Sequence, residues 1–247
     1  MITRFQTALY CAAGMAAIAL LWPQAGFAQQ IAVDFGDGDS FSLRTVQILI
    51  LITLLSLAPG LAIMVTCFPF MVTVLSILRQ AIGVTQAPPN MMLISLALFL
   101  TYFVMEPVFD QAWQAGVEPM IEGELTPEQA FAPTMAPFRV FMSARADPDV
   151  VELLEDVAPE RNAEEDVPLS TLIPAFMLSE IQRGFEIGFL LFLPFLVIDL
   201  VIAAILMSMG MMMVPPAIVS LPFKLAFFVV ADGWSLLAGA LVRSYAP

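Results

Sequence analysis

The sequence predicts an all-α integral membrane protein with about four apolar helical segments, kinked or hairpin-like, and a small acidic helical subdomain outside the membrane. Hydrophobic residues make up 60% of the 247 residues and charged residues only 13%, whereas a soluble domain has roughly 25% charged residues. The mean hydropathy is +0.90. Long uncharged stretches alternate with polar ones, and most acidic residues fall in a single segment. These observations together predict helices that cross a bilayer and one polar segment that does not.

The first 28 residues are typical of a secretory signal peptide. Arg4 precedes an apolar core that ends near Leu21, and the small residues Gly26 and Ala28 favour cleavage after Ala28. The apolar core is shorter than the ~20 residues that a membrane span needs. An uncleaved anchor helix is the alternative, because only one basic residue precedes the core. Cleavage would leave a polar leader, residues 29–42, at the start of the mature chain.

Residues 43–109 are predicted to form the first membrane helical pair. The 34 residues from 45 to 78 carry no charge, and as one helix they would be about 51 Å long, against ~30 Å of hydrocarbon. The Pro59-Gly60 pair and Pro69 are natural break points, so we expect either a sharply kinked helix or two pieces packed as a hairpin. One long tilted helix is the alternative. Residues 91–109 return as the second apolar helix.

Residues 110–168 are predicted to be a small helical extramembrane subdomain. Residues 106–166 hold fifteen of the 22 acidic residues and three of the nine basic ones. Thr126 is followed by Pro127 and Gln129, which predicts a capped helix start, and Asp147 before Pro148 predicts a second one. The first helix would present one apolar face, although two prolines weaken that pattern; the face comprises Phe131, Met135, Phe138 and Met142. Residues 158–168 would be a flexible exit.

Charged residues interrupt the apolar runs of residues 169–247, the predicted second helical pair. A charge at bilayer depth costs at least ~2.5 kcal/mol, so such residues usually face a partner or a wet cavity. Capping of helices or snorkelling to the surface is the alternative. Arg183 lies three residues from both Glu180 and Glu186, so it can pair with either.

Asp199 follows an expected kink at Pro194 and is surrounded by apolar sequence. Facing lipid it would be costly, whereas in an oligomer it could pair with Lys224 or Arg183 of a neighbouring subunit. Gly184 and Gly188, four residues apart, would let a neighbouring backbone approach closely; simple tolerance of glycine is the alternative. The predicted network for subunit packing and charge pairing comprises Glu180, Arg183, Gly184, Glu186, Gly188, Asp199 and Lys224.

Several kinds of chemistry are excluded by what the sequence lacks. It contains no histidine, which removes Ser-His-Asp and Cys-His catalysis and histidine-ligated zinc. Cys11 lies in the signal peptide, so Cys67 has no partner for an internal disulfide in the mature chain. No GxxxxGK[ST] nucleotide motif occurs, and no basic stripe is present to meet nucleic-acid phosphates. We therefore expect neither an enzyme nor a cofactor.

Methionines cluster at a break in the last apolar segment. Met211, Met212 and Met213 follow Gly210 and precede two prolines. Methionine is flexible and polarizable, and in an apolar helix such a cluster usually fills the core. At a break, however, the side chains would project from a loop.

Several ordered blocks of the sequence resemble the FliP family. The dense blocks are PAFMLSEIQRGFEIGF (174–189), PFLVIDL (194–200) and GMMMVPPAIVSLPFKLAFFVVADGW (210–234). A thinner resemblance extends over RTVQILILITLLSLAPGLAIMVTCF (44–68) and APFRVFM (136–142). FliP is the export-gate subunit of the bacterial flagellar type III secretion system, and SctR is its injectisome counterpart.

This resemblance implies a role in protein export at the flagellar basal body in the bacterial inner membrane. In the family, a pentamer assembles with FliQ and FliR, beside FlhB and FlhA, and an ATPase complex and the proton gradient drive unfolded polypeptides through it. The resemblance also implies that Met211, Met212 and Met213 belong to a methionine-rich loop that forms a gasket around the channel. The signal peptide and the long acidic segment favour the flagellar branch over a virulence injectisome.

Two other classes of function are weighed against the export gate. A proton-coupled transporter or ion channel could use Glu180, Glu186 and Asp199 as a relay, but no inverted repeat is visible. An intramembrane aspartyl protease could use Asp199 and Asp232, but the flanking glycine pattern is missing. With the signal peptide cleaved, four apolar segments would place the acidic subdomain and the C-terminus in the periplasm, although there are too few basic residues for the positive-inside rule to decide.

Overall fold

The computed structural model describes residues 39–84, 87–157, 167–211 and 213–245. Within those ranges the chain is helical and contains no strand, which confirms the predicted all-α class. The predicted signal peptide, residues 29–38 of the predicted leader and residues 158–166 of the predicted exit lie outside the described residues. The helices are α1 (Asp39–Met64), α2 (Phe68–Ile82), α3 (Asn90–Ala112), a π-helical turn (Trp113–Val117), α4 (Glu118–Ile121), α5 (Pro127–Arg145), α6 (Pro148–Asp156), α7 (Leu169–Ser208), α8 (Pro216–Val230) and α9 (Gly233–Arg243).

Three helical stretches are long and apolar enough to cross a membrane: Thr45–Met64, Asn90–Ile121 and Leu169–Ser208. Helices α8 and α9 form a fourth candidate, because they meet the same criteria together and are bent by 62° at their junction. The count of about four apolar segments is therefore confirmed. The 40 residues of α7 give a helix about 60 Å long, twice the ~30 Å of hydrocarbon, so α7 extends beyond a bilayer if it stands upright.

The first apolar stretch breaks at only one of the two expected places. Helix α1 continues through Pro59 and Gly60 and ends at Met64, and α2 begins at Phe68, immediately before Pro69. The break at Pro69 is confirmed. Proline is tolerated there because it lies in the first turn of the helix, where its missing N–H costs nothing. The helix is not interrupted at Pro59-Gly60, and the single long helix was wrong; a kink at Pro59-Gly60 stays a prediction.

Helices also run further than the sequence pattern indicated. The apolar helix expected to end at residue 109 continues without interruption to Ile121, through the π-helical turn. Helix α7 is continuous through Pro174 and Pro194. Proline removes one backbone hydrogen bond and leaves the other hydrogen bonds of a long helix in place, so it need not end the helix.

The chain divides into two compact units, Met1–Leu54 and Leu55–Pro247. In the described part of the first unit, the side chains from Thr45 to Thr53 are exposed. The second unit is built around α2, which packs mainly against α7 and also against α3. One face of α2 is completely or almost completely buried, and its largest side chains are Phe70, Met71, Val74, Leu75 and Leu78.

Both predicted helix starts in the acidic segment are confirmed. The Thr126 hydroxyl accepts from the Gln129 backbone N–H at 3.4 Å, and the Gln129 side chain accepts from the Thr126 N–H at 3.1 Å, so the capping box is complete. The Asp147 carboxylate accepts from the Asp149 N–H at 3.0 Å. These bonds satisfy N–H groups that have no partner inside the helix.

The apolar face predicted on α5 is only partly buried. Met142 is fully buried, whereas Phe131, at the other end of the helix, is 61% exposed. Helix α5 packs against α3, the π-helical turn and α7, and Ala130 near its start and Met142 near its end are both buried. The acidic segment therefore belongs to the same compact unit as the apolar helices that follow it.

Candidate functional site

The carboxylate of Glu180 is the centre of a buried polar cluster. Its side chain is 0% exposed, and its Oε1 accepts from Arg145 Nε at 3.1 Å and from Arg183 at 3.4 Å. The Tyr245 hydroxyl donates to Oε2. A buried carboxylate is tolerated only when it is paired and its lone pairs are satisfied, and these three donors provide that.

Arg145 and Tyr245 are also held directly against each other. The Arg145 guanidinium lies 4.1 Å from the centre of the Tyr245 ring, and its second nitrogen donates to the Ser244 carbonyl at 3.1 Å. Such a cation–π contact is worth ~0.5–2 kcal/mol. Tyr245 lies beyond the bent helix pair; burial raises its pKa well above the usual range, and the Glu180 carboxylate raises it further. The phenol therefore remains protonated and acts as the donor.

A second cluster joins α7, α8 and the end of α2. Asp199 Oδ2 accepts from Lys224 Nζ at 2.6 Å, and Oδ1 accepts from the Ser220 hydroxyl at 2.5 Å. Lys224 Nζ also donates to the Ala81 carbonyl at 3.0 Å. The sequence correctly indicated Lys224 as a partner for Asp199 but expected it from a neighbouring subunit. The pair forms within one chain because the turn between α7 and α8 brings the two residues together.

The two glycines of α7 make a close approach inside the chain. A Cβ added at Gly184 would lie 3.0 Å from Thr73 Cβ, and one at Gly188 would lie 2.4 Å from Ile77 Cδ1. Both neighbours belong to α2. Only glycine allows the two helices to approach this closely. Their use between subunits stays a prediction.

Glu186 stands apart from the buried clusters. Its side chain is exposed, and it accepts from Gln182 Nε2 at 3.2 Å. Arg183 bonds to Glu180 and not to Glu186, because Glu180 faces the protein interior. The two acidic residues that sequence spacing made equivalent thus have different surroundings.

The methionine loop joins α7 to α8. Gly210 has φ +75°, a left-handed conformation that favours glycine and reverses the chain after α7. Met211 is 42% exposed and Met213 is 98% exposed, while Met212 lies outside the described residues. Neither described methionine of the triplet fills a core. Their apolar side chains are available for contacts beyond this chain.

Asp232 lies at the bend between α8 and α9. Its backbone has φ +49°, and its carboxylate accepts from the Ser235 hydroxyl at 3.1 Å. The other acid of the protease hypothesis, Asp199, is bonded to Lys224 and Ser220. Among the residues that the structure describes, no group of three or more Cys, Asp or Glu side chains could hold a metal ion.

Comparison with known proteins identifies the family. The model of the FliP family matches residues 51–241. The chain belongs to the FliP family. Three relatives are each called flagellar biosynthetic protein FliP: the Caulobacter vibrioides protein is 50% identical over 94% of this chain and 88% of its own length. The Agrobacterium fabrum protein is 48% identical over 93% and 96%, and the Bacillus subtilis protein is 42% identical over 81% and 92%.

The sequence analysis of this FliP family member did not identify three residues of the two polar clusters. Arg145 is the only basic residue in the last turn of α5, a position where a cation also favours the helix dipole, and that signal was available. Tyr245 and Ser220 gave no signal, because their roles depend on contacts with Glu180 and Asp199 that lie 65 and 21 residues away.

Proposed function

We propose that this chain is a subunit of the flagellar protein export gate, in which several copies form a ring and their methionine loops constrict its lumen. The observation that carries this proposal is the match of residues 51–241 to the FliP family, whose curated relatives are named as flagellar biosynthetic proteins. The exposed methionine loop supports the role in a constriction. Unfolded flagellar proteins are the cargo.

The chemistry of the loop suits a compliant seal. Met213 projects almost fully from the chain, and Met211 is partly exposed, so symmetry-related copies would bring several thioether side chains together around an axis. Methionine side chains can adapt to irregular shapes at low cost because they are unbranched. An apolar ring of this kind resists the passage of hydrated ions and yields to a polypeptide.

The apolar surface of the chain supports assembly with partners and lipid. Large hydrophobic side chains of α7 and α8 are more than half exposed, among them Phe185, Phe189, Leu200, Phe223 and Val229. Further copies of this chain, FliQ and FliR cover this surface in the proposed gate, with FlhB and FlhA alongside. The ring lies in the inner membrane at the flagellar basal body, with the acidic helices and the C-terminus on the periplasmic side.

The paired acids support a structural role in preference to a proton relay. Glu180 and Asp199 each accept from a cationic side chain and from a hydroxyl group of the same chain. Acids that are satisfied in this way hold helices together, since opening either pair would leave a buried charge without a partner. Energy for export is then supplied by partners.

The test is the triple substitution of Met211, Met212 and Met213 by alanine. We expect export to continue while the resting gate becomes permeable to small ions, which is measured as membrane conductance in cells or in proteoliposomes. The matched control replaces Met91 and Met92 by alanine, because these methionines are also exposed, at 74% and 62%, but lie on α3. Unchanged conductance in the triple variant, or equal leakage in the control, would contradict the gasket role.

A further inference from the structure

The end of the chain folds back onto a buried ion pair. Tyr245 bonds to Glu180, 65 residues earlier, and Ser244 accepts from Arg145, 99 residues earlier. The Ser244 and Tyr245 N–H groups donate to the Ala240 and Val242 carbonyls in the last turn of α9. Two residues at the end of α9 therefore reach both partners of the Glu180–Arg145 pair.

The ring of Tyr245 is packed between side chains of separate helices. Phe141 of α5 stacks on it with an interplanar angle of 17° and a centroid separation of 6.1 Å, and Phe70 of α2 meets it edge-on at 5.4 Å. Arg145 covers the ring at 4.1 Å. The ring contacts side chains of α2 and α5, and its hydroxyl reaches α7.

We propose that residues 244–245 act as a strap that fastens the end of helix α5 to α2, α7 and the end of α9 and shields the Glu180 carboxylate from water. Two features make the strap separable from the rest of the fold. Both residues lie beyond Arg243, the last residue of α9, so their contacts with Arg145 and Glu180 are not part of a helix. The Arg145–Glu180 bond at 3.1 Å does not pass through it, so the ion pair persists when the strap opens but becomes hydrated.

The strap links a helix that is polar at its start to a pair of apolar helices. Helix α5 is capped and polar at its start and follows the acidic connection, whereas α8 and α9 form the bent apolar pair. A closed strap couples the end of α5 to the bent pair, and an open strap uncouples them while the Arg145–Glu180 ion pair still joins α5 to α7. This inference concerns the chain itself and does not depend on the proposed export function.

Hydrogen–deuterium exchange of the detergent-solubilised full chain tests the strap. Tyr245→Phe removes only the hydroxyl donor, and a hydrogen bond to a charged group corresponds to roughly tenfold or more in a local opening equilibrium. We expect exchange in residues 138–145 of α5 to be about tenfold faster in Tyr245→Phe and at least as fast again in Tyr245→Ala, which also loses the ring contacts. The first half of α3, residues 90–100, should keep its wild-type exchange.

The control is Phe103→Ala, because Phe103 is 63% exposed and lies on α3, and none of the ring contacts of Tyr245 involves it. It should leave exchange in α5 unchanged. Wild-type exchange of α5 in Tyr245→Phe would overturn the fastening through Glu180. Equal acceleration of α3 and α5 in Tyr245→Phe would also overturn the proposal, since it would show general loss of core packing and not release of a strap. If Tyr245→Ala does not fold, the Tyr245→Phe comparison still decides.

Discussion

Replacing Asp199 with alanine should destabilise this chain far more than replacing Glu186, although both are acids of the same helix. Without Asp199, the Lys224 ammonium keeps only the Ala81 carbonyl as acceptor, and its side chain is 6% exposed. A buried charge that loses its partner costs about 3–5 kcal/mol. Glu186 is exposed, so its removal should change the free energy of unfolding by less than about 0.5 kcal/mol.

Replacing the partner, Lys224, should lower the free energy of unfolding by less than replacing Asp199, so the experiment predicts an order of the two effects. In Lys224→Met the remaining carboxylate is 30% exposed and still accepts from Ser220 at 2.5 Å. Water can therefore replace part of what it loses, and we expect a cost of about 1–3 kcal/mol. The double variant Asp199→Ala/Lys224→Met should be more stable than Asp199→Ala alone, because no unpaired ammonium remains.

The free energy of unfolding is measured by SDS titration of the protein in mixed micelles, followed by far-UV circular dichroism. The wild type, the two single variants Asp199→Ala and Lys224→Met, and the double variant form a double-mutant cycle. Glu186→Ala is the control for loss of a carboxylate. If Asp199→Ala and Glu186→Ala agree within about 0.5 kcal/mol, the buried pair does not stabilise the junction of α2, α7 and α8, and the reasoning from burial is refuted.

Three further predictions concern helix packing, helix capping and ring assembly, and the first two are checked in the same SDS titration. Gly188→Ala should cost about 1–3 kcal/mol, because its Cβ would lie 2.4 Å from Ile77 Cδ1, whereas Gly60→Ala, with nothing within 4 Å, should cost nothing; equal effects would contradict the close helix contact. Thr126→Ala should cost about 1 kcal/mol, and no loss would show that the capping box is dispensable. Deleting residues 127–156 should prevent ring assembly, measured by native electrophoresis, and an intact ring would contradict it.

Local signals in the sequence predicted local structure well. The caps at Thr126 and Asp147 depend on residues within three positions, and both formed as expected. Pro69 marked a helix start because proline fits the first turn. Pro59 and Pro194 gave the same signal yet lie inside helices. What decides there is how the helix as a whole packs or contacts its surroundings, and a single residue does not carry that information.

The site was predicted in composition but not in arrangement. Glu180, Arg183, Asp199 and Lys224 could be chosen from the sequence because charges in apolar runs need partners. Which ion pair each residue forms depends on how the helices pack. Asp199 pairs with Lys224 of its own chain, and Glu180 pairs with Arg145 of the acidic segment. Tyr245 could not be anticipated, since its partners Glu180 and Phe70 lie far from it in the sequence.

The mass of the detergent-solubilised complex, measured by native mass spectrometry, tests the export-gate proposal most directly. The chain is expressed alone and then together with FliQ and FliR. The account predicts a discrete homo-oligomer that increases in mass when the two partners are present. A monomer that does not bind either partner would contradict the gate, and the exposed methionine loop would then need another explanation.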